Sequence, residues 1–332
     1  MHCILRTRLW LVLILVYRAT GFSIKHVNTF PIDGNIAVVE AEQSRRSFLQ
    51  RVALIASTSP LFPLGARGAD TWQPSQAHPV AVLGAGGRTG MEVARALGMS
   101  GIYTSTLTRT GRDPFQVVKL KDNVKSFIEH YNKPVDVVSE TSLEDALNTL
   151  QASAIIYCAS ASKQGGTAFE VDGDGVARAA KIAKDLGARF ILISALALDR
   201  PDSQSYKITN SIGGNYDKIM DAKRQGEDSV RSLLSGTKDY VIIRSGVLLS
   251  GKTINGPSDL EVNQGDTIGG GLSRDELAGL AVGALKSGRK GVTVEVYRTK
   301  THTKLQPEFS LPSGNERYSD TYEGLFTDLK AD

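Results

Sequence analysis

The stretch Val80–Gly98, VAVLGAGGRTGMEVARALG, decides the fold. Val80–Leu83 is short, β-branched and apolar and runs straight into Gly84, and from Met91 to Leu97 apolar residues return at helical spacing. The order is strand, tight turn, helix. Gly84, Gly87 and Gly90 spell GxxGxxG across the turn. In a dinucleotide-binding unit one glycine lets the backbone turn sharply, one lets it approach a pyrophosphate, and one lets helix and strand pack closely. The start of the helix then offers unpaired N–H groups and a positive dipole end to phosphates.

Outward from this turn the pattern repeats. Thr104–Thr108 reads as the next strand and ends at Arg109, where a fold of this kind meets the adenosine ribose. An acid there holds the free 2′-hydroxyl of NAD, whereas an arginine suits the added phosphate of NADP. Arg109 therefore points to NADP(H) in preference to NAD(H), and Arg88 and Arg112 either add to that charge or simply face solvent. Ala154–Ala159 (AIIYCA), Phe190–Ser194 (FILIS) and Tyr240–Arg244 (YVIIR) are further buried-strand patterns. The first two flank VDGDGVARAAKIAKDLGARF, which has helical spacing, a basic face and a closing Gly187. Another helix is expected over about Tyr216–Leu234. Strand and helix alternate throughout, so the expected fold class is α/β, a doubly wound, mostly parallel sheet with helices on both faces.

Segments 199–216 and 251–271, the first rich in Ser, Asp, Asn and Gly, read as loops over the strand ends. Past Val294 the chain continues like an edge strand and loop. Tyr318, Tyr322, Leu325 and Leu329 then recur at near-helical spacing, as in a short helix docked on the body or a partner-binding tail.

The 332 residues carry a net charge of +4, but residues 1–69 hold eight Lys/Arg and three acids, which leaves 31 basic against 32 acidic residues in the remainder. The body has no basic excess to bind nucleic acid. Cys3 and Cys158 are the two cysteines. Cys158 lies in an apolar run and reads as a small core residue, and no Cys/His cluster has metal-site spacing.

Residues 1–69 read as three addresses in series. In 1–21, Arg6 and Arg8 precede the apolar Leu9–Tyr17 and the small-residue end RATG, the order of a secretory signal peptide. That apolar run is too short to span a bilayer comfortably, and no stable span is expected in the mature chain. Cleavage after Gly21 leaves Phe22 first, which resembles the junction in plastid proteins of algae with complex plastids. Residues 22–43 read as a transit segment, made more acidic than usual by Asp33, Glu40 and Glu42. In 44–69, SRRSFLQ followed by an apolar stretch resembles a twin-arginine signal; the alternative is a chance basic pair before a buried helix. The series implies a plastid protein delivered to the thylakoid lumen, with the stroma as the alternative. The single nucleotide-binding domain is then 70–332.

The motifs LGAGGRTG, VDGDG, ARFILISALA, AKRQGEDSVRSLLSGTKDYVIIRSGVLLSG and GDTIGGGLSRDELAGLAVGAL, in that order, resemble those of the atypical short-chain dehydrogenase/reductases. The nearest likeness is to the NAD(P)H-binding proteins of plastids and cyanobacteria, over about residues 78–297. The resemblance implies an extended Rossmann fold, NADP(H), and a substrate cleft formed by loops at the strand ends. By position, Gly84, Gly87 and Gly90 match the pyrophosphate turn, with Arg88 and Thr89 between them, and Arg109 matches the 2′-phosphate ligand. VDVVSETSL resembles the family's acidic turn, which puts Asp136 and Val137 beside the adenine. Ala159 and Ser160 match the segment along the nicotinamide ribose. Ser194 matches the residue ending the fifth strand, and Lys223 the helix lysine that bonds the ribose hydroxyls.

One departure is chemical. The wider superfamily uses Tyr-x-x-x-Lys, where the ammonium lowers the phenol's pKa for acid or base work. Here Asn210 stands four after Tyr206 and Met220 four after Tyr216. Tyr216 and Lys223 are seven apart, about 10 Å along one helix axis, and Tyr216 can equally be a packing residue. Ser194 can polarise a substrate carbonyl or merely cap a loop. Two functions follow. One is an NADP(H)-dependent reductase of a small carbonyl or quinone-like substrate, with Ser194 and Lys223 as catalytic candidates. The other is a noncatalytic NADP(H)-binding module, a redox-responsive partner in a plastid complex.

Overall fold

In the computed structural model, which describes residues 73–251 and 256–332, Val80–Leu83 forms strand β1 with both faces buried. Val80 and Val82 enter one core, Ala81 and Leu83 the other. A strand covered on both sides must be apolar at every position, which is why this run does not alternate. The signal peptide, transit segment and twin-arginine signal expected over 1–69 lie outside the described residues.

The remaining strands are β2 (Thr104–Leu107), β3 (Ile128–His130), β4 (Ala154–Tyr157), β5 (Arg189–Ala195), β6 (Tyr240–Ser245), β7 (Val247–Leu249), β8 (Leu260–Asn263), β9 (Ile268–Gly269), β10 (Gly271–Ser273), β11 (Val292–Arg298) and β12 (Thr303–Lys304). Eight of them form one sheet in the order β3-β2-β1-β4-β5-β6-β11-β8. Every neighbouring pair in it is parallel except β8 with β11. Leu83 stands beside Leu107 on β2 and Tyr157 on β4. The residues that follow, Gly84, Thr108 and Cys158, therefore meet beyond the C-terminal ends of three adjacent strands. The strand order reverses between β1 and β4, and such a switch point opens a crevice beyond the strand ends.

The helices are α1 (Arg88–Met99), α2 (Asp122–Lys125), α3 (Glu140–Leu150), α4 (Gly175–Leu186), α5 (Gln204–Asn210), α6 (Ile219–Leu233) and α7 (Arg274–Lys286). Val93 and Leu97 of α1 and Leu277 and Leu280 of α7 bury one sheet face. Leu143 and Leu147 of α3, Ala179 and Ala183 of α4 and Val230 of α6 bury the other. The doubly wound α/β architecture follows from those two apolar layers. A π-helical turn, Phe169–Asp174, precedes α4 and buries Val171, Asp172 and Gly173.

Several local expectations need correction. The helix expected over Tyr216–Leu234 begins at Ile219, because Lys218 takes a left-handed conformation at φ 54° and Tyr216 closes a separate 3₁₀ turn, Gly214–Tyr216. Tyr216 and Lys223 thus do not share a helix axis, and the rise of one helix does not measure their separation. The 199–216 segment holds α5, whose start is capped by Ser203 accepting the Tyr206 N–H. The 251–271 segment contains β8 and β9. β11 is interior, and β8 forms the edge. At the C-terminus Leu325, Phe326 and Leu329 lie in the α1/α7 core, but the only helical piece among them is the 3₁₀ turn Gly324–Phe326. The Ser319 and Thr321 hydroxyls accept the N–H groups of Thr321 and Gly324, which replaces helix with side-chain-capped turns. Among the described residues no helix is long and apolar enough to cross a membrane, and no group of His, Cys, Asp and Glu could hold a metal ion.

Candidate functional site

The three glycines divide the labour of the turn. Gly84 has φ +79°, and a Cβ there would lie 2.7 Å from the Cα and N of Ala159, so the β1 and β4 ends touch only because both the conformation and the space belong to glycine. A Cβ on Gly90 would lie 2.8 Å from the Gly84 carbonyl carbon, so this residue seats α1 on the turn. Gly87 is different: a Cβ there would meet just the Gly84 oxygen, at 3.3 Å, and the residue is exposed. It is the N-cap of α1, and no side chain caps that helix. The first turn therefore presents its N–H groups to whatever enters the crevice.

The crevice is a cavity of about 530 Å³. Gly84, Gly87, Arg88 and Thr89 line it from the turn, and Arg109 lines it from the end of β2. Asp136 and Val137 line it ahead of α3, and Ala159 and Ser160 line it beyond β4. These nine positions, singled out in sequence, converge on one space; Gly90 supports it from behind, and Arg112 is not in its wall. Asp136 accepts the Val138 N–H through Oδ1 at 3.1 Å, and Ser139 caps α3. Arg109 reaches toward the loop after β4, where a Cβ on Gly165 would collide with its guanidinium. Cys158 also faces the cavity, but burial pushes its thiol up to about 12, so it is no thiolate nucleophile near neutral pH.

Ser194 and Lys223 lie outside that wall. With Ala159, which they share with the cavity, and Asp172 they line an adjacent crevice that has no room for water. Asp172 organises it. One carboxylate oxygen accepts from Lys223 Nζ at 2.7 Å and from Ser160 Oγ at 2.7 Å, and the other accepts the Ala161 N–H at 2.8 Å. The ammonium expected to meet ribose hydroxyls is thus engaged by an acid 2% exposed. Ser194 Oγ is buried in this crevice with no hydrogen-bond partner. Nearby, Tyr157 donates to the Val171 carbonyl at 2.5 Å, and burial together with the Asp172 charge raises its pKa well above the ordinary phenol value. Tyr216 packs against the small cluster of Ala161, Ala168 and Ile219, which is the packing role left open for it. Tyr206 donates to Asp221 instead of partnering a lysine.

Three contributors were not singled out in sequence. Asp172 sits inside the VDGDG motif, but its partner Lys223 is 51 residues away. Asn215 donates to the carbonyls of Ser162 and Gly165 at 2.8 and 2.9 Å and staples the loop after β4. Arg274, the first residue of α7, completes the cavity wall. Arg88, Arg109 and Arg274 have no carboxylate partner among the described residues, and Asp136 is the one acid in that wall. A glycine cradle, an uncapped helix start and three free guanidiniums fit a dinucleotide rich in phosphate.

A family model described as NAD(P)H-binding matches residues 84–288. A search of curated protein sequences gives no match. Among solved structures, the chain is similar to a Bacillus halodurans protein assigned to the NAD-dependent epimerases/dehydratases: 18% identity over 68% of this chain and 95% of that one, with a TM-score of 0.50. It is also similar to the oxidoreductase ylbE from Lactococcus lactis, at 18% identity over 67% and 92% with a TM-score of 0.49. ChuY, an anaerobillin reductase from Escherichia coli O157:H7, aligns at 16% identity over 69% and 99%, also at 0.49.

Proposed function

This chain belongs to the NAD(P)H-binding family, and on that premise we propose that it is an NADP(H)-dependent oxidoreductase of the atypical short-chain dehydrogenase/reductase type, acting on a small carbonyl or quinone-like substrate. The observation that carries this reading is the convergence of Gly84, Gly87, Arg88, Thr89 and Arg109 on one cavity. When bound, NADP(H) supplies or takes up the hydride. The chain's own residues do the rest. Backbone at Gly84 and Gly87 admits the pyrophosphate, and Arg109 answers the 2′-phosphate. Asp136 and Val137 border the adenine, and Ala159 and Ser160 border the nicotinamide ribose. Lys223, through Asp172, fixes Ser160 and the Ala161 N–H at the floor of that half. Ser194 holds an unpartnered hydroxyl in the closed crevice that shares Ala159 with the cavity, and it meets the oxygen on which charge develops once cofactor and substrate open that crevice.

The reading is tested by following NADPH absorbance while the purified protein is offered a panel of carbonyls and quinones. Turnover with one class supports it. NADPH binding without turnover on any acceptor favours a second reading, a noncatalytic NADP(H)-binding module in a plastid complex. A specific observation speaks for that module: the lysine is engaged by Asp172 and no tyrosine lies one helical turn before it. The likeness to the plastid and cyanobacterial subgroup and the order of addresses in 1–69 support a plastid location, in the thylakoid lumen. Replacing Arg45 and Arg46 together by lysine is expected to leave the protein in the stroma; unchanged lumenal delivery would remove the twin-arginine assignment.

A further inference from the structure

Arg274 stands in the cavity wall with no carboxylate partner among the described residues, and nothing in the glycine turn accounts for it. It is held there firmly. Ser273 and Glu276 close a capping box at the start of α7, with the Ser273 N–H donating to Glu276 Oε2 at 2.6 Å. Arg298 of β11 clamps Glu276 in turn at 2.8 Å. The capping box serves the N–H groups of Ser273 and Glu276 from within, and α7 lends the cavity wall its first residue, Arg274. Leu277 of α7 shares a core with Val93 and Leu97 of α1, so the two helices lie on the same sheet face and their first residues, Arg274 and Arg88, border the same space.

We propose that Arg88 and Arg274 form a two-armed clamp for a diphosphate, the pyrophosphate of the dinucleotide, distinct from the 2′-phosphate contact at Arg109. The clamp rests on the NADP(H) reading above. Two guanidiniums without acidic partners, on one wall of a cavity that carries a single acid, repel each other until an anion lies between them. Partial burial and the neighbouring Arg88 charge lower the Arg274 pKa, as expected of a cation waiting for an anion. The charges also match in number. NADPH brings a diphosphate and a monophosphate to three arginines, and Arg109, at the β2 end, is the one placed for the ribose. A planar fork suits a phosphate bidentately, and the capping box fixes the helix end that carries it.

The test uses the full chain and three probes: NADPH, NADH and inorganic pyrophosphate. Arg274→Met is expected to weaken NADPH and NADH by a common factor, roughly ten- to hundredfold for a lost charge-assisted contact, and to abolish competition by pyrophosphate. The NADPH-to-NADH ratio stays at its wild-type value, and Arg274→Lys recovers part of the loss. Because the cap is made by Ser273 and Glu276, thermal unfolding of Arg274→Met is expected to match the wild type; if it does not, the Arg274→Lys comparison carries the test. Unchanged affinity for both dinucleotides, or a change confined to the ratio, overturns the clamp. So does a raised KM for the acceptor at unchanged cofactor affinity, which would assign Arg274 to an anionic substrate. If the wild type binds neither dinucleotide, the NADP(H) reading fails separately, and pyrophosphate alone decides: binding lost in Arg274→Met supports the clamp, and no binding overturns it.

Discussion

At the scale of single residues, the most consequential pairing is Lys223 with Asp172. A carboxylate 2% exposed holds an ammonium, a hydroxyl and a backbone N–H, and its replacement strands all three. Asp172→Asn is expected to destabilise the protein by about 3 kcal/mol, the cost of stranding one partner of a buried pair, read as a shift in the urea midpoint; a change near zero would mean that Lys223 finds solvent instead. The glycines give a sharper contrast. Gly84→Ala strains a left-handed residue and drives its Cβ to 2.7 Å from the Ala159 backbone, so loss of folding is expected. Gly87→Val brings its Cβ to 3.3 Å from a single backbone oxygen, a tight contact that a small shift relieves, and fills the approach to the first turn of α1, so a folded protein that binds neither dinucleotide is expected. Calorimetry and circular dichroism on the pair separate the two roles, and dinucleotide binding by folded Gly87→Val would refute the assignment of Gly87. The glycine turn was legible in sequence because its signal is local, a strand ending and a helix beginning within eight residues. Asp172 and Arg274 were not, because their meaning comes from partners on other elements: α6 for one, α1 for the other.

Among elements, those covered on both faces could be read directly. β1, β4, β5 and β6 are apolar at consecutive positions, and no loop imitates that pattern. The errors fall where short-range side-chain hydrogen bonds compete with apolar periodicity. α5 hides in a segment whose serines and asparagines suggest a loop, yet Ser203 uses that same chemistry to start a helix. The C-terminal stripe of Tyr318, Tyr322, Leu325 and Leu329 has nearly the period of a helix, but it marks a chain laid along α7, where Gly279 and Gly283 leave room for Tyr322. Leu325, Phe326 and Leu329 of this segment lie in the core shared by α1 and α7. Phe326, fully buried, is expected to cost about 3–5 kcal/mol when changed to alanine, measured by urea unfolding. A loss under about 1 kcal/mol would contradict a docked segment and return it to the role of a tail.

For the whole molecule, one buried arginine links the layers. Arg244 of β6 pairs with Glu227 of α6 at 2.7 Å, Asp199 beyond β5 at 2.6 Å and Glu295 of β11 at 3.4 Å. Asp266 lies 3.8 Å away and accepts the N–H groups of Ala197 and Asp199, fixing the loop that follows Ser194. The acids outnumber the cation, and burial, reinforced by the Asp266 charge against the pull of Arg244, pushes Glu295 up to about 8. Glu295 Oε2 has no partner, as suits an oxygen that carries a proton. The native state then keeps a proton that the unfolded chain releases above its ordinary carboxyl range, so this group's stabilisation is full at low pH and declines as pH rises through about 8. Glu295→Gln is expected to flatten that decline in unfolding midpoints taken from mildly acidic to alkaline pH; an unaltered slope would place the proton elsewhere. This network fixes the loop that follows β5, and the central claim is the NADP(H) preference of the neighbouring cavity. Its most direct test is calorimetric titration of NADPH and NADH into the wild type and Arg109→Ala. The wild type is expected to prefer NADPH, and the variant to lose most of that preference, on the order of 1.5–3 kcal/mol, while NADH affinity barely moves. Equal affinity of the wild type for the two dinucleotides would contradict it.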